Sequence, residues 1–196
     1  MRIKSAKFVT SCADPESARA FTPQICVAGR SNCGKSTLLN ALMGARLCKT
    51  SATPGRTKLI NIFGVATDFV PFYFVDLPGY GYNAAQKHQA DAFAERTDLY
   101  FRTNDIAQTL CLMDVRRDPS DLDKTLINYL RDLGLPFTVV LTKSDKLSRA
   151  QLSGATVKIA AALGLAKGNI IVTSGANGDG RDALLARLHE ILSAQQ

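Results

Sequence analysis

The octapeptide Gly29-Arg30-Ser31-Asn32-Cys33-Gly34-Lys35-Ser36 constrains this chain more than any other feature. It follows the apolar run Gln24 to Ala28 and opens onto Thr37, Leu38, Leu39 and Leu42, which recur at helical spacing. The pattern G-x-x-x-x-G-K-[ST] between a strand and a helix is the form of a phosphate-cradling loop. Its glycines let backbone N–H groups converge on phosphate oxygens, and the helix N-terminus adds favourable partial charge. Residues 29–37 are therefore the expected seat of a nucleoside triphosphate, with Lys35 reaching the β- and γ-phosphates and the Ser36 hydroxyl on magnesium. An ordinary glycine turn is the competing reading.

Such a unit belongs in an α/β fold, and the rest of the chain agrees. Strands are expected at Gln24 to Ala28, Leu59 to Val65, Phe69 to Leu77, Gln108 to Asp114, Phe137 to Thr142 and Asn169 to Thr173. The second and third read as a hairpin. The expected fold is a mostly parallel six-stranded sheet with one antiparallel edge strand and helices on both faces. One helix is expected from an Asp118 cap with Pro119 in its first turn, carrying Leu122, Leu126, Tyr129, Leu130 and Leu133 to a stop at Gly134 and Pro136. A terminal helix carries Leu184, Leu188, Ile191 and Leu192. Residues 1–23, weakly periodic and containing Pro15 and Pro23, are expected to lie as an extended arm along a single domain at 24–196, and residues 46–58 read as a long loop.

Composition excludes several classes. With 46% hydrophobic and 21% charged residues over 196 positions, the chain has the make-up of a folded domain rather than a disordered one. No apolar run approaches the roughly 18 residues of a membrane span, and none follows Met1 as a signal core. Five cysteines without a C-x-x-C pair, beside two histidines, argue against zinc or a disulfide framework, so a reduced, cytoplasmic protein is expected. Residues 1–58 hold ten Lys/Arg against two Asp/Glu, a charge of +8, whereas the remainder holds fourteen against fifteen. That bias is either a solvated face or the footprint of a polyanion.

Two further motifs gain weight from their order. Phe72-Tyr73-Phe74-Val75-Asp76-Leu77-Pro78-Gly79 is an apolar strand ending in D-x-x-G, where Asp76 can hold magnesium through water and Gly79 can offer its N–H to a γ-phosphate. Thr142-Lys143-Ser144-Asp145 fits [NT]-K-x-D: the Asp145 carboxylate can accept both the ring N–H and the exocyclic amine of guanine, a pair that adenine lacks. Lys143 can lay its stem over the base, and Thr173-Ser174-Gly175 can offer a backbone N–H to the guanine carbonyl. A further magnesium ligand is expected from the loop containing Gly55, with Thr57 the best candidate and Thr53 and Thr50 its rivals.

In this order the motifs resemble the Ras-like translation-factor GTPases, and GRSNCGKSTLLNAL, TSATPGRTKLINIF and FVDLPGYGY resemble the EngB family of bacterial ribosome-biogenesis GTPases. The resemblance spans most of the chain. It implies a monomeric, magnesium-dependent GTPase domain that binds the large ribosomal subunit or its precursor, rRNA included, assists its maturation, and supports growth and division. Lys35, Thr57 and Gly79 would then serve catalysis. Cys33 stands where the family usually has valine and is read as a packed apolar residue, with a redox switch as the alternative. No tryptophan follows Gly81-Tyr82, where the family would place one.

Tyr80 occupies the position where many related enzymes carry a water-orienting glutamine, so slow intrinsic hydrolysis is expected. Asn32 either helps hold a potassium ion at the β–γ bridge or braces the loop locally. Two other functions compete: an RNA-binding module that hydrolyses little, and a small-molecule kinase sharing the phosphate loop.

Overall fold

The computed structural model describes residues 1–48, 59–81 and 87–195, without the side chains of 87–94 and 167. Seven strands form one sheet in the order β1-β3-β4-β2-β5-β6-β7: β1 (Ile3–Cys12), β2 (Gln24–Gly29), β3 (Ile60–Thr67), β4 (Phe72–Asp76), β5 (Ile106–Asp114), β6 (Phe137–Thr142) and β7 (Ile170–Val172). The expected six are all present. The seventh, β1, corrects the picture of residues 1–23, because Ile3–Cys12 is hydrogen-bonded antiparallel to β3. Since β3 is also antiparallel to β4, it alone runs against the rest, and it lies one place in from the edge. Thr50, Thr53, Gly55 and Thr57 fall outside the described residues, as does the body of the expected loop at 49–58.

Alternation along the buried strands separates two apolar layers. Ile25 and Val27 of β2 and Leu110 and Leu112 of β5 face α1 (Lys35–Met43) and α5 (Arg181–Ser193). Cys26, Ala28, Cys111 and Met113 face α2 (Lys87–Thr103), α3 (Asp121–Asp132) and α4 (Arg149–Leu163). Leu184, Leu188 and Leu192 are buried as their spacing implies. The start of α3 differs from expectation. Ser120 is the cap, its hydroxyl and backbone paired reciprocally with Asp123, and Asp118 instead bonds Lys158 at 2.7 Å.

A buried polar cluster ties the N-terminal segment to the sheet. Gln24 donates to the Ala18 carbonyl at 2.8 Å and accepts from Tyr100 at 2.6 Å, while Asn104 donates to the Pro15 carbonyl at 3.2 Å. Strands β2, β4, β5 and β6 are parallel, with one register irregularity between Gln24 and Ile25 at the start of the β2–β5 pairing. Gly29, Asp76, Asp114 and Thr142 therefore end along one carboxyl edge, the position where open α/β sheets bind ligands.

Candidate functional site

The loop leaving β2 is shaped by its backbone. A Cβ on Gly29 would lie 2.6 Å from the Leu112 carbonyl oxygen, so only glycine fits there. Asn32 (φ 63°) and Gly34 (φ 108°) both take left-handed conformations, which turn successive N–H groups toward one concavity. The N-terminus of α1 has no side-chain cap among the described residues, leaving its first donors for a ligand. Ser36 and Thr37 occupy that first turn. Lys35 Nζ donates to the Gly29 carbonyl at 3.0 Å.

The D-x-x-G segment lies against this loop. Ser31 donates its N–H to the Tyr80 carbonyl at 3.0 Å and its hydroxyl to the Gly79 carbonyl at 3.3 Å. A Cβ on Gly79 would lie 2.8 Å from Lys35 Nζ, which shows how closely lysine and glycine approach. Asp76 is buried, and its Oδ1 has no hydrogen-bond partner among the described residues. Burial pushes its carboxyl up to about 6, against the opposing pull of Lys35. An orphaned buried carboxylate oxygen within the electrostatic reach of Lys35, the residue before Ser36, fits a magnesium ion held through water.

On the base side, the Thr142 hydroxyl is within bonding reach of the Cys33 carbonyl and of the Met113 carbonyl at 3.1 Å. Lys143, in a left-handed conformation, donates at 2.7 Å to the Asn32 carbonyl, bridging the base and phosphate segments. Asp145 Oδ1 accepts from the Ser174 hydroxyl at 2.6 Å and Oδ2 lies 2.9 Å from Lys146; these partners hold its carboxyl below the usual range. The N–H of Thr173 goes to the Leu141 carbonyl, that of Ser174 to the Asp179 carbonyl and that of Ala176 to the Ser174 hydroxyl. Gly175 alone of these four has an N–H without a partner among the described residues. It sits on the first turn of α1, where a Cβ would lie 3.0 Å from Thr37 Cγ2.

The structure thus gathers residues 29–37, Asp76, Gly79, 142–145 and 173–175 along one edge. It also shows two groups that sequence reasoning missed. Asp114, buried at the end of β5, pairs with Lys143 at 3.0 Å and with Arg116 at 2.7 Å, fixing the lysine from behind. Its signal was an aspartate closing an apolar strand level with Thr142. Asp123 accepts from the Tyr80 hydroxyl at 2.8 Å, so the phenol is held by α3. Cys33 is buried and packs in the α1 layer, and burial raises its thiol, which opposes the reactive thiolate that a redox switch needs.

Residues 24–143 match the family model described as a 50S ribosome-binding GTPase. A probable GTP-binding protein EngB from Caldanaerobacter subterraneus is 35% identical over 195 residues, covering 98% of this chain and 99% of that protein. One from an Anaeromyxobacter species is 39% identical, covering 96% and 91% respectively. A crystal structure of a probable GTP-binding protein EngB superposes with a TM-score of 0.71 at 23% identity, covering 88% of this chain and all of that one. An Era structure from Aquifex aeolicus also gives 0.71, at 22% identity over 86% of this chain and 56% of its own, and both structures support the fold. The small-molecule kinase reading falls with these matches. With the phosphate loop, the D-x-x-G segment and the T-K-x-D turn on one sheet edge, the chain belongs to the EngB family of GTP-binding proteins and is a GTPase.

Proposed function

We propose that this chain is a slow, nucleotide-dependent switch whose GTP-bound state engages the large ribosomal subunit or its precursor, rRNA included, and so serves subunit assembly and normal growth and division. The supporting observation is the convergence of Asp145, Gly175 and the uncapped N-terminus of α1, an arrangement suited to reading guanine beside bound phosphates. In this reading Asp145 and the Gly175 N–H read the base, Lys143 covers it, and Lys35 and the residue 29–37 backbone neutralise the phosphates. Ser36, Asp76 and Thr57 would hold magnesium, whose charge stabilises the leaving phosphates when it is bound. The Gly79 N–H would serve the γ-phosphate. The bonding of Tyr80 to Asp123 leaves no water-orienting side chain at that position, in keeping with slow turnover. The Asn32 side chain has no hydrogen bond among the described residues, which favours its free carbonyl as a potassium ligand over local bracing.

The family description as ribosome-binding supports the partner, the basic first 58 residues support rRNA contact, and a monomer acting in the cytoplasm is the simplest form of the switch. Among the described residues no helix is long and apolar enough to cross a membrane. The test is co-sedimentation with isolated large subunits in GDP and in a non-hydrolysable GTP analogue. Stronger binding in the analogue is expected, and equal binding in both would refute the switch.

A further inference from the structure

A pocket of about 190 Å³ opens behind the phosphate loop, between Arg30–Cys33 and the turn joining β5 to α3. It adjoins the nucleotide site, sharing Ser31–Cys33 and Lys143 with it, whereas Lys35, Ser36, Asp76, Asp145 and Gly175 do not line it. Three carboxylates line it, and each is already engaged. Asp114 is paired with Arg116 and Lys143, Asp118 with Lys158, and Asp123 with Tyr80 and Ser120. Its two remaining cations, Arg30 and Arg117, have no side-chain hydrogen bond or ion pair among the described residues. The pocket therefore presents two uncommitted guanidinium groups beside carboxylates that already have partners, Asp114 being the one paired with two cations.

We propose that this pocket is a phosphate-binding subsite through which the chain grips the RNA of the large ribosomal subunit, with Arg30 and Arg117 as its donors. This rests on the ribosome-binding reading above and names the contact. Guanidinium forks match phosphate oxygens bidentately, and phosphate contact is the sequence-independent component of RNA affinity. Arg30 also ties the subsite to the nucleotide. Its Nε would lie 3.3 Å from a Cβ on Gly81, two residues beyond Gly79, and its backbone bridges Tyr80. A shift of the D-x-x-G segment toward a γ-phosphate would move Arg30 through its Tyr80 and Gly81 contacts, so RNA held by Arg30 senses which nucleotide is bound. Leu122, 48% exposed and beside Gly81 as Arg30 is, would offer apolar surface to a ribose or base near a phosphate held by Arg30.

The experiment measures binding of the full chain, loaded with a non-hydrolysable GTP analogue, to isolated large subunits and to protein-free large-subunit RNA across a salt series. Arg117 is exposed, so Arg117→Glu is expected to fold and to keep its affinity for fluorescent GDP. Its affinity for both targets should fall about tenfold, with the slope of log affinity against log salt flattened by about one, and Arg117→Lys should recover most of the loss. Arg30→Ala should weaken binding in the same direction. If wild type binds subunits and neither variant differs from it, the subsite is refuted while the proposed function stands. If Arg117→Glu loses subunit binding but still binds free RNA as wild type does, the pocket takes a protein carboxylate and the RNA assignment is wrong. If wild type loaded with the analogue binds neither target, the proposed function itself fails.

Discussion

Replacing Tyr80 by phenylalanine separates two roles that its sequence position leaves joined. In the structure the phenol donates at 2.8 Å to Asp123 Oδ1, while Asp123 Oδ2 accepts from the Ser120 N–H at 2.8 Å and the Ser120 hydroxyl at 2.6 Å. Burial, then the Asp123 charge and bond, pushes the phenol well above its ordinary range, so it stays neutral at any usable pH and is no base for water. Tyr80→Phe removes one charge-assisted bond and leaves a carboxylate oxygen of a buried residue unpartnered. A cost of about 2 kcal/mol is expected. At an m-value of about 2.5 kcal/mol/M, the urea midpoint should fall by about 0.8 M. Single-turnover GTP hydrolysis at saturating nucleotide should match wild type, because the lost hydroxyl faces α3. A variant as stable as wild type but slower in hydrolysis would overturn this assignment.

Other consequences follow from the same edge. In metal-free, nucleotide-free protein, Asp76 titrates near 6 against 3.8 when exposed. A raised carboxyl favours folding at low pH, and that contribution is lost as pH rises through 6. Wild type should therefore lose up to about 3 kcal/mol relative to Asp76→Asn between pH 4 and 8 in urea unfolding with EDTA, and parallel pH profiles would contradict it. Asp114→Asn should loosen Lys143 and weaken GDP binding about tenfold in a fluorescent-nucleotide titration, with unchanged affinity as the opposing result. Turnover should be faster in potassium than in sodium at equal ionic strength, and Asn32→Ala should erase the difference; equal rates in wild type would remove the cation role.

The glycines and charges of residues 29–36, 76–79 and 142–145 were legible because backbone shape and ligand chemistry narrow those positions to few residue types. The edge strand β1 was not, since register irregularities between Ile3 and Ser5 and between Phe8 and Thr10 break the two-residue period by which a strand is read. Asp118 looked like a helix cap, but Ser120 three residues before Asp123 forms the reciprocal box. The part played by Asp114 depends on the β5–β6 register that sets it level with Thr142, a pairing no local pattern contains. Likewise, the free N–H of Gly175 emerges only when Asp179 folds back to take that of Ser174.

If guanine read at Asp145 governs attachment to the large subunit, exchanging the base that this residue accepts should exchange the nucleotide that promotes attachment. Asp145→Asn should weaken GTP binding by about 2 to 3 kcal/mol and present a pattern complementary to xanthine. Co-sedimentation of this variant with large subunits should then be promoted by a non-hydrolysable xanthosine triphosphate analogue, and no longer by the guanosine analogue at concentrations that saturate wild type. Subunit binding that still follows the guanosine analogue, or that ignores both nucleotides, would contradict the account.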